Sequence, residues 1–311
     1  MNRRDFVRTV ALGAVVTAAG APELAQAAAT LRNGAGQPVR IPLGMDRDWQ
    51  EAERIARWYQ RWCEKVAPRM AQVVIADSRV IQRRYREAYG AETVFVPYGA
   101  NVARDEGLAA LDKWGLEPRR YMLYVGRFVP ENAIDVLIRA FREVRTELKL
   151  VLIGDAPHSQ RYKRELAAAA AGDPRIVFTG YVFGPDYAQL SSHAYLAVQP
   201  SAIDGTRPAL LDQLGFGNCV LARDTPANVE VVADCGALFA HDESHERLRE
   251  RLQELADDPQ QVESWRRKAD ERIRRYYNWE WVVDFYESLF ERLLGGRPLV
   301  SYDEFLQSKK S

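Results

Sequence analysis

Apolar and polar positions form two alternating patterns along most of the chain. Short runs of consecutive apolar residues, typical of strands buried on both faces, are separated by segments in which apolar residues recur every three or four positions. The predicted strands are Val73–Ala76, Thr93–Pro97, Tyr121–Val125, Leu148–Ile153, Arg175–Thr179, Tyr195–Gln199 and Cys219–Ala222. Strands that alternate with amphipathic helices predict βαβ units and therefore an α/β fold built on a parallel sheet.

The same patterns divide the chain into units of unequal size. Residues 121–276 predict a complete doubly wound domain, whereas residues 30–103 predict only a shortened α/β unit, with Val39–Pro42 as one further strand. Residues 104–120 have no strand pattern and are interpreted as a linker, and residues 277–311 as a helix and tail. One face of that helix carries Val282, Phe285, Tyr286, Leu289, Phe290 and Leu293. Such a face is expected to pack against another part of the molecule.

Composition and charge narrow the class of protein. The chain has 311 residues, of which 47% are hydrophobic and 28% charged, and its 43 basic residues balance 43 acidic ones. This is a globular composition, and it argues against a broad basic surface for nucleic acid. The cysteines Cys63, Cys219 and Cys235 form no CxxC pair and no zinc-ligand spacing. They are interpreted as buried apolar residues, with a Cys219–Cys235 bridge as the alternative.

The first 29 residues differ from the rest. Paired arginines, Arg3 and Arg4, precede a weakly apolar stretch, Val10–Ala21, and a small-residue pattern at Ala25–Ala27. Residues 1–29 therefore resemble a twin-arginine export signal, the alternative being an amphipathic terminal helix. The apolar stretch is too short to span a bilayer.

Candidate chemistry lies in loops that follow the predicted strands, because ligands of open parallel sheets bind at the carboxyl ends of the strands. In the first loop Gly126 allows the backbone close to a ligand, and Arg127 is placed to bind a phosphate with two hydrogen bonds. Alternatively Arg127 pairs with Glu131. The second loop holds Gly154 and Asp155, a common strand ending of low specificity.

The third loop leads into a predicted helix that begins near Arg207. Thr206 is the predicted N-cap, and Pro208 lies in the first turn. The N–H groups of Gly205 and Thr206, together with the helix dipole, are expected to form an anion site suited to a diphosphate.

Two aspartates are expected to border the same pocket. Asp212 lies inside this helix, where its carboxylate could accept hydrogen bonds from a ribose diol, and Asp204 could accept them from sugar hydroxyls. The alternative makes Asp204 a turn-forming residue and Asp212 an ordinary surface residue. His241 and His245 have a spacing that can hold a metal, but the polar helix around them favours a solvated face.

The order of these features resembles the family-4 glycosyltransferases of the GT-B fold, from about Trp49 to Leu294. The matching segments are "VVIADSRVIQRRYREAYGAETVFVPYGANV", "YVGRFVPENAIDVLIRAF", "GDPRIVFTGYV", "PALLDQLGFGNCVLARDTPANVEVV" and "NWEWVVDFY". In that family they correspond to the end of the N-terminal domain, the phosphate-arginine loop, the strand that meets the nucleobase, the signature helix, and the helix that crosses back. The resemblance places the nucleobase near Tyr181 and Val182.

The resemblance implies retaining transfer of a sugar from a nucleotide-diphosphate donor, without a metal or other cofactor. Arg127, the start of the helix and Arg207 would hold the diphosphate, Asp212 the ribose and Asp204 the transferred sugar. Two departures from the family pattern stand out. The family's pair of glutamates is replaced by Asp204 and Asp212, and a lysine of the phosphate loop is replaced by Asn132. Arg207 is expected to restore the missing charge.

The partners expected from the resemblance are a nucleotide sugar and a saccharide or lipid-linked acceptor, as in the assembly of cell-envelope glycans. The shortened N-terminal unit supports an alternative, a non-catalytic nucleotide- or saccharide-binding module or one half of a split enzyme completed by a partner chain. A nucleotide-sugar epimerase fits less well, because its acid–base residues are not identifiable. The leader predicts export, whereas donor chemistry favours the cytoplasm or its membrane face.

Overall fold

The computed structural model describes residues 58, 62–156, 159–201, 205–240 and 245–309. The segment interpreted as an export signal, the strand Val39–Pro42, Asp204 and His241 lie outside these described residues. The predictions made for them therefore stay predictions.

The N-terminal half contains a small parallel sheet. Strands β1 (Ile75–Ala76) and β2 (Val94–Phe95) pair in parallel and are connected by helix α1 (Arg79–Tyr89). A helical stretch over residues 62–70 precedes them. The side chain of Ser78 caps α1, and Gly90 ends the helix in the left-handed conformation that glycine adopts readily.

The C-terminal domain is a six-stranded sheet in which all neighbouring strands are parallel. Its strands are β3 (Tyr121–Val125), β4 (Lys149–Ile153), β5 (Ile176–Gly180), β6 (Leu196–Gln199), β7 (Cys219–Arg223) and β8 (Gly236–Phe239). Their order across the sheet is β5-β4-β3-β6-β7-β8. The chain winds outward from β3 in one direction and from β6 in the other, which is the doubly wound topology.

Both faces of this sheet are covered. Met122 pairs in register with Leu150 and Leu196, and all three pack into the core on one face. The next residues along β3 and β4, Leu123 and Val151, belong to a core on the other face. Successive residues of a strand point to opposite sides, so strands buried on both faces require the nearly continuous apolar runs in the sequence.

Helices flank the sheet and connect its strands. They are α2 (Ala109–Lys113), α3 (Ile134–Arg142), α4 (Gln160–Ala170), α5 (Gly184–Ser192), α6 (Pro208–Gly215), α7 (Pro226–Val232), α8 (Glu246–Asp257) and α9 (Pro259–Tyr276). Side chains of Ser159, Thr225 and Asp258 cap the N-termini of α4, α7 and α9. None of the helices among the described residues is long and apolar enough to cross a bilayer.

The last two helices return to the N-terminal half. Helices α10 (Trp279–Leu294) and α11 (Tyr302–Ser308) join β2 in one apolar cluster, as the amphipathic pattern of α10 predicts. Tyr302 makes edge-on ring contacts with Phe95 and Phe285 at 5.9 and 5.1 Å. Full burial of an aromatic side chain such as Phe285 contributes roughly 2–3 kcal/mol. The chain terminus therefore ties the two halves together.

The structure adds two elements to those predicted from the sequence. Strand β8 was missed, because Gly236–Phe239 is short and alternates in burial. The segment interpreted as a linker contains α2, whose buried Ala110 and Leu111 pack beside β3. Cys219 and Cys235 are buried free thiols, as predicted, in cores on opposite faces of the sheet, so the alternative bridge does not form, whereas Cys63 is only half-buried.

Candidate functional site

The candidate site lies where the winding direction of the sheet reverses. Strands β3 and β6 are neighbours there, and the loops after both strands leave the same carboxyl edge. The β3 loop contributes Arg127 and Asn132, and the β6 loop contributes Ser201 and Arg207. A crevice at such a switch point is the usual ligand position in open α/β sheets.

Arg207 is held in place by polar partners from both loops. Its guanidinium donates from Nη1 to the side-chain oxygen of Asn132 at 3.1 Å and from Nη2 to the Ser201 hydroxyl. The Ser201 hydroxyl in turn donates to the carbonyl of Glu131 at 2.9 Å. Arg207 Nε is buried and has no hydrogen-bond partner among the described residues. The arrangement fixes a cation in the crevice without neutralising it.

Arg127 is a second cation beside the first. Its side chain is exposed, and in the described parts of the chain it makes no ion pair with Glu131 or any other acid. Asn132 instead holds the loop by donating to the Arg127 carbonyl at 2.7 Å. Burial lowers the pKa of Arg207, and the charge of Arg127 lowers it further. Two guanidinium groups thus share one crevice, an arrangement that an anion would stabilise.

The start of α6 differs from the prediction. Arg207, not Thr206, is the N-cap residue, and no side chain caps this helix. The Thr206 hydroxyl donates instead to the carbonyl of Asp77, across the cleft in the N-terminal half, at 3.0 Å. Pro208 does occupy the first turn, and Gly205 has a φ of 129°. The uncapped start of α6 keeps its positive dipole end beside the two arginines.

Asp212 is not an ordinary surface residue. Burial raises the pKa of its carboxyl to about 6. No described group donates a hydrogen bond to this carboxylate. Tyr187 lies nearby: burial raises the pKa of its phenol to about 12, and the charge of Asp212 contributes to that rise. A desolvated, unpaired carboxylate close to a cleft is typical of a binding or catalytic group.

A buried polar network fixes α6 and hence Asp212. Arg266 of α9 donates to the side-chain oxygen of Asn218 at 3.1 Å and to the carbonyl of Ala194 at 2.9 Å. Asn218 donates to Gln213 at 2.8 Å, and Gln213 donates to the Ser191 hydroxyl at 3.1 Å. Because every link is buried, moving α6 would leave several polar groups without partners.

Gly154 and Asp155 have structural roles in the described molecule. Gly154 has a φ of 146°, and a Cβ there would lie 1.9 Å from the carbonyl oxygen of Gly126. Only glycine lets the β3 and β4 loops approach so closely. The Asp155 carboxylate forms an ion pair with Lys163 at 2.8 Å, which holds its pKa below the ordinary value. Its assignment to donor binding stays a prediction.

Tyr181 and Val182 follow β5 at the same carboxyl edge. The Tyr181 ring is 48% exposed and stacks on Phe183 with centroids 6.0 Å apart, whereas the Val182 side chain is buried in the core. An exposed ring beside a backbone edge is suited to a flat nucleobase, and one strand, β4, lies between β5 and the β3 strand that leads to Arg127.

The described residues thus bring together Arg127, Asn132, Arg207 and the start of α6, with Asp212 on the same helix. Two neighbours of this site were missed in the sequence, Ser201 and Asp77. Asp77 directly follows β1 and Ser201 lies two residues after β6, and a position just beyond a parallel strand was the available signal. His245 pairs with Glu143 at 2.7 Å, and no group of three or more metal-ligating side chains occurs in the described ranges.

Fold and site together define a doubly wound α/β domain with a cationic crevice at its switch point, joined to a smaller α/β half. Residues 119–258 match the family model described as glycosyl transferases group 1. The expectation of a glycosyltransferase is confirmed at this general level.

Sequence relatives agree with this class. The chain is 22% identical over 281 residues to an uncharacterized glycosyltransferase, YqgM, of Bacillus subtilis, covering 88% of this chain and 77% of that one. It is 26% identical over 267 residues to alpha-maltose-1-phosphate synthase of Mycobacterium tuberculosis, covering 76% and 68%.

Solved structures give the same fold. The sucrose-phosphate synthase of Thermosynechococcus elongatus superposes with a TM-score of 0.68 at 22% identity, covering 80% of this chain and 65% of that one. HepE of Anabaena, solved in complex with UDP and glucose, superposes with a TM-score of 0.69 at 19% identity, covering 77% and 68%. The GT-B-like fold expected from the sequence is therefore confirmed.

Proposed function

We propose that the protein transfers a sugar from a nucleotide-diphosphate donor to a saccharide or lipid-linked acceptor in the assembly of a cell-envelope glycan. The observation that carries the proposal is the pair Arg127 and Arg207, which share the switch-point crevice without a carboxylate partner among the described residues. The HepE structure, which contains UDP and glucose, supports the choice of donor class.

The two arginines would stabilise the departing diphosphate. Cleavage of the bond between sugar and phosphate places additional negative charge on the leaving oxygens, and preorganised cations lower the barrier by stabilising that charge. The uncapped start of α6 adds the positive end of a helix dipole. Asn132 would contribute to diphosphate binding indirectly, because its side-chain oxygen accepts a hydrogen bond from Arg207 and so orients that guanidinium.

The remaining groups would orient the donor. Asp212 would accept hydrogen bonds from the ribose diol, since its carboxylate has no competing donor in the described structure. The backbone at Val182 and the ring of Tyr181 would meet the nucleobase. Asp204 would bind the transferred sugar. Gly126, Gly154 and Gly205 would let the backbone approach the donor.

The test is calorimetric titration of the full chain with UDP, GDP and dTDP. We expect saturable binding of one of them, and a loss of about tenfold or more in affinity on Arg127→Ala, because charge-assisted hydrogen bonds contribute about 1.5–3 kcal/mol. Arg161→Ala is the matched control, since Arg161 is an exposed arginine on α4 that pairs with Glu165, away from the candidate site.

Equal affinities of the two variants would contradict the placement of the diphosphate, and no binding by folded wild-type protein would contradict the donor site. Nucleotide binding without turnover of any nucleotide sugar would favour the alternative, a non-catalytic binding module.

A further inference from the structure

An open groove lies between helices α9 and α10. Its volume is about 580 Å³, and it is lined by five charged side chains and one aromatic ring, Arg267, Asp270, Glu271, Arg274, Arg275 and Trp281. The charged residues all belong to α9, and the ring comes from the first turn of α10. Three arginines beside two carboxylates give the groove a net positive charge.

The groove is separate from the candidate donor site. The Asp270 carboxylate accepts hydrogen bonds from Arg104 at 2.9 and 3.0 Å, and a Cβ added to Gly217 would lie 2.2 Å from Nη2 of the same arginine. Gly217 follows the C-terminus of α6, whereas Arg207 stands at the N-terminus of that helix. About 12 Å of helix therefore separates this edge of the groove from the donor crevice.

The carboxylates of the groove are already paired, but two of its arginines are not. Asp270 binds Arg104, and Glu271 forms an ion pair with Arg275 at 3.4 Å. Arg267 and Arg274 are exposed, and within the described ranges neither makes a hydrogen bond or an ion pair. Each guanidinium is thus available to bind a carboxylate or a phosphate with two parallel hydrogen bonds.

The spacing of the two arginines suits an extended ligand. Arg267 and Arg274 are seven residues apart, which is close to two helical turns, so both leave the same face of α9 about 10 Å apart along its axis. A single small anion could therefore engage only one of them at a time. A ligand with anionic groups at two places along its length would engage both.

The ring at the edge of the groove suits a saccharide. Trp281 is half-buried, packs on one side against the apolar cluster of α10 and α11, and lines the groove with the rest of its surface. Its indole has a flat apolar face and one N–H donor, which match the apolar face and the hydroxyls of a sugar ring. A membrane surface fits less well, because the groove is concave and contains two carboxylates.

We infer that the groove binds an acidic glycan, in which Arg267 and Arg274 each bind an anionic group and Trp281 stacks on a sugar ring. The choice of a glycan rests on the proposed function, because the ligand would be the chain that the enzyme extends, held at a second site outside the cleft. The anionic group is a uronate carboxylate or a sugar phosphate, and the test separates these two sources.

The test is calorimetric titration of the full chain without nucleotide, with trigalacturonate, a glucose bisphosphate and neutral maltotriose as probes. We expect at least one anionic probe to bind, and maltotriose to bind at least about tenfold more weakly, because charge-assisted hydrogen bonds supply most of the affinity. Arg267→Gln combined with Arg274→Gln should weaken binding of the anionic probe by about tenfold or more. Affinity for nucleotide diphosphates should stay within about twofold, and both side chains are exposed, so this variant is expected to fold.

The matched control is Arg83→Gln combined with Arg164→Gln. These exposed arginines of α1 and α4 also form no ion pair in the described parts of the chain, so the net charge changes equally. The control should bind the anionic probe as the wild-type protein does. An equal loss in the control would show that only net charge matters, and would overturn the inference.

Three other results would also overturn it: no binding of either anionic probe, equally tight binding of maltotriose, or displacement of the bound probe by a nucleotide diphosphate. Binding of phosphatidylglycerol vesicles through Arg267 and Arg274, without binding of either probe, would assign the groove to a membrane surface instead. Since the titration contains no nucleotide, a failure of the donor site would leave this test intact.

Discussion

At the residue scale, burial decides what the acids of the cleft can do. Nothing in the immediate sequence of Asp212 distinguishes it from a solvated aspartate. Its pKa rises to about 6 only because the folded chain removes it from water. Asp155, by contrast, lies two residues after a strand and bonds to Lys163, which lowers the pKa of its carboxyl.

Asp212→Asn should raise stability and weaken donor binding. The native state holds a proton on Asp212 more tightly than the unfolded chain does, so ionisation destabilises the fold as pH rises from the ordinary pKa of 3.8 to about 6. Above about pH 6 the variant should gain on the order of 2–3 kcal/mol in unfolding free energy, and below the ordinary pKa it should gain almost nothing. Urea denaturation across this range measures the gain.

The control for that experiment is Asp112→Asn, which changes an exposed aspartate of α2 and should leave stability unchanged at every pH. A gain of the same size at low pH would show that the effect is not one of ionisation. Retention of full nucleotide affinity by Asp212→Asn would contradict its role at the ribose.

At the element scale, the site consists of two loops and one helix start. The loop after β3 supplies Arg127 and Asn132, and the segment after β6 supplies Ser201 and Arg207. Asn132 stands where the resembling family has a lysine, and the structure joins it to Arg207 through a hydrogen bond of 3.1 Å. The second cation of the crevice thus comes from the other loop.

If Arg207 supplies the charge that the family's lysine supplies elsewhere, a lysine at position 132 should restore the nucleotide binding lost on removal of Arg207. Arg207→Ala should weaken nucleotide-diphosphate binding by about tenfold, and adding Asn132→Lys should restore most of it, because the lysine returns a positive charge to the same crevice. Calorimetry on both variants measures the effect. If Asn132→Lys restores nothing in the Arg207→Ala background, the two positions do not serve the same anion.

At the scale of the whole molecule, the C-terminal helices fasten the halves. Arg79, the first residue of α1, binds Asp303 of α11 and Glu230 of α7, and its guanidinium lies 4.4 Å above the Phe95 ring. Elements α1, β2, α7 and α11 meet at this one side chain. Its contacts therefore join the N-terminal half to the C-terminal domain and to the last helix.

Arg79→Met should therefore destabilise the protein by about 1–3 kcal/mol, because it removes the ion-pair partner of the half-buried Glu230. Asp303→Asn removes only the exposed end of the same cluster and should cost less than about 1 kcal/mol. Urea denaturation at neutral pH compares the two variants. Equal losses would show that Glu230 does not depend on Arg79.

The amino-acid sequence by itself determined the layered α/β architecture. Runs such as Tyr121–Val125 are apolar at every position, which is typical of strands buried on both faces, and the apolar stripe of α10 requires a surface to cover. The loops that follow such strands are therefore identifiable as candidate sites, and Arg127, Arg207 and Asp212 were found in this way.

Only the tertiary structure decided which of these groups act together. Hydrogen bonds between distant loops, such as Arg207 to Asn132 and Thr206 to Asp77, leave no periodic signal in the sequence. The pKa of Asp212 depends on how much water the fold removes. Local pattern determines the elements, whereas desolvation and long-range contacts determine the chemistry of their side chains.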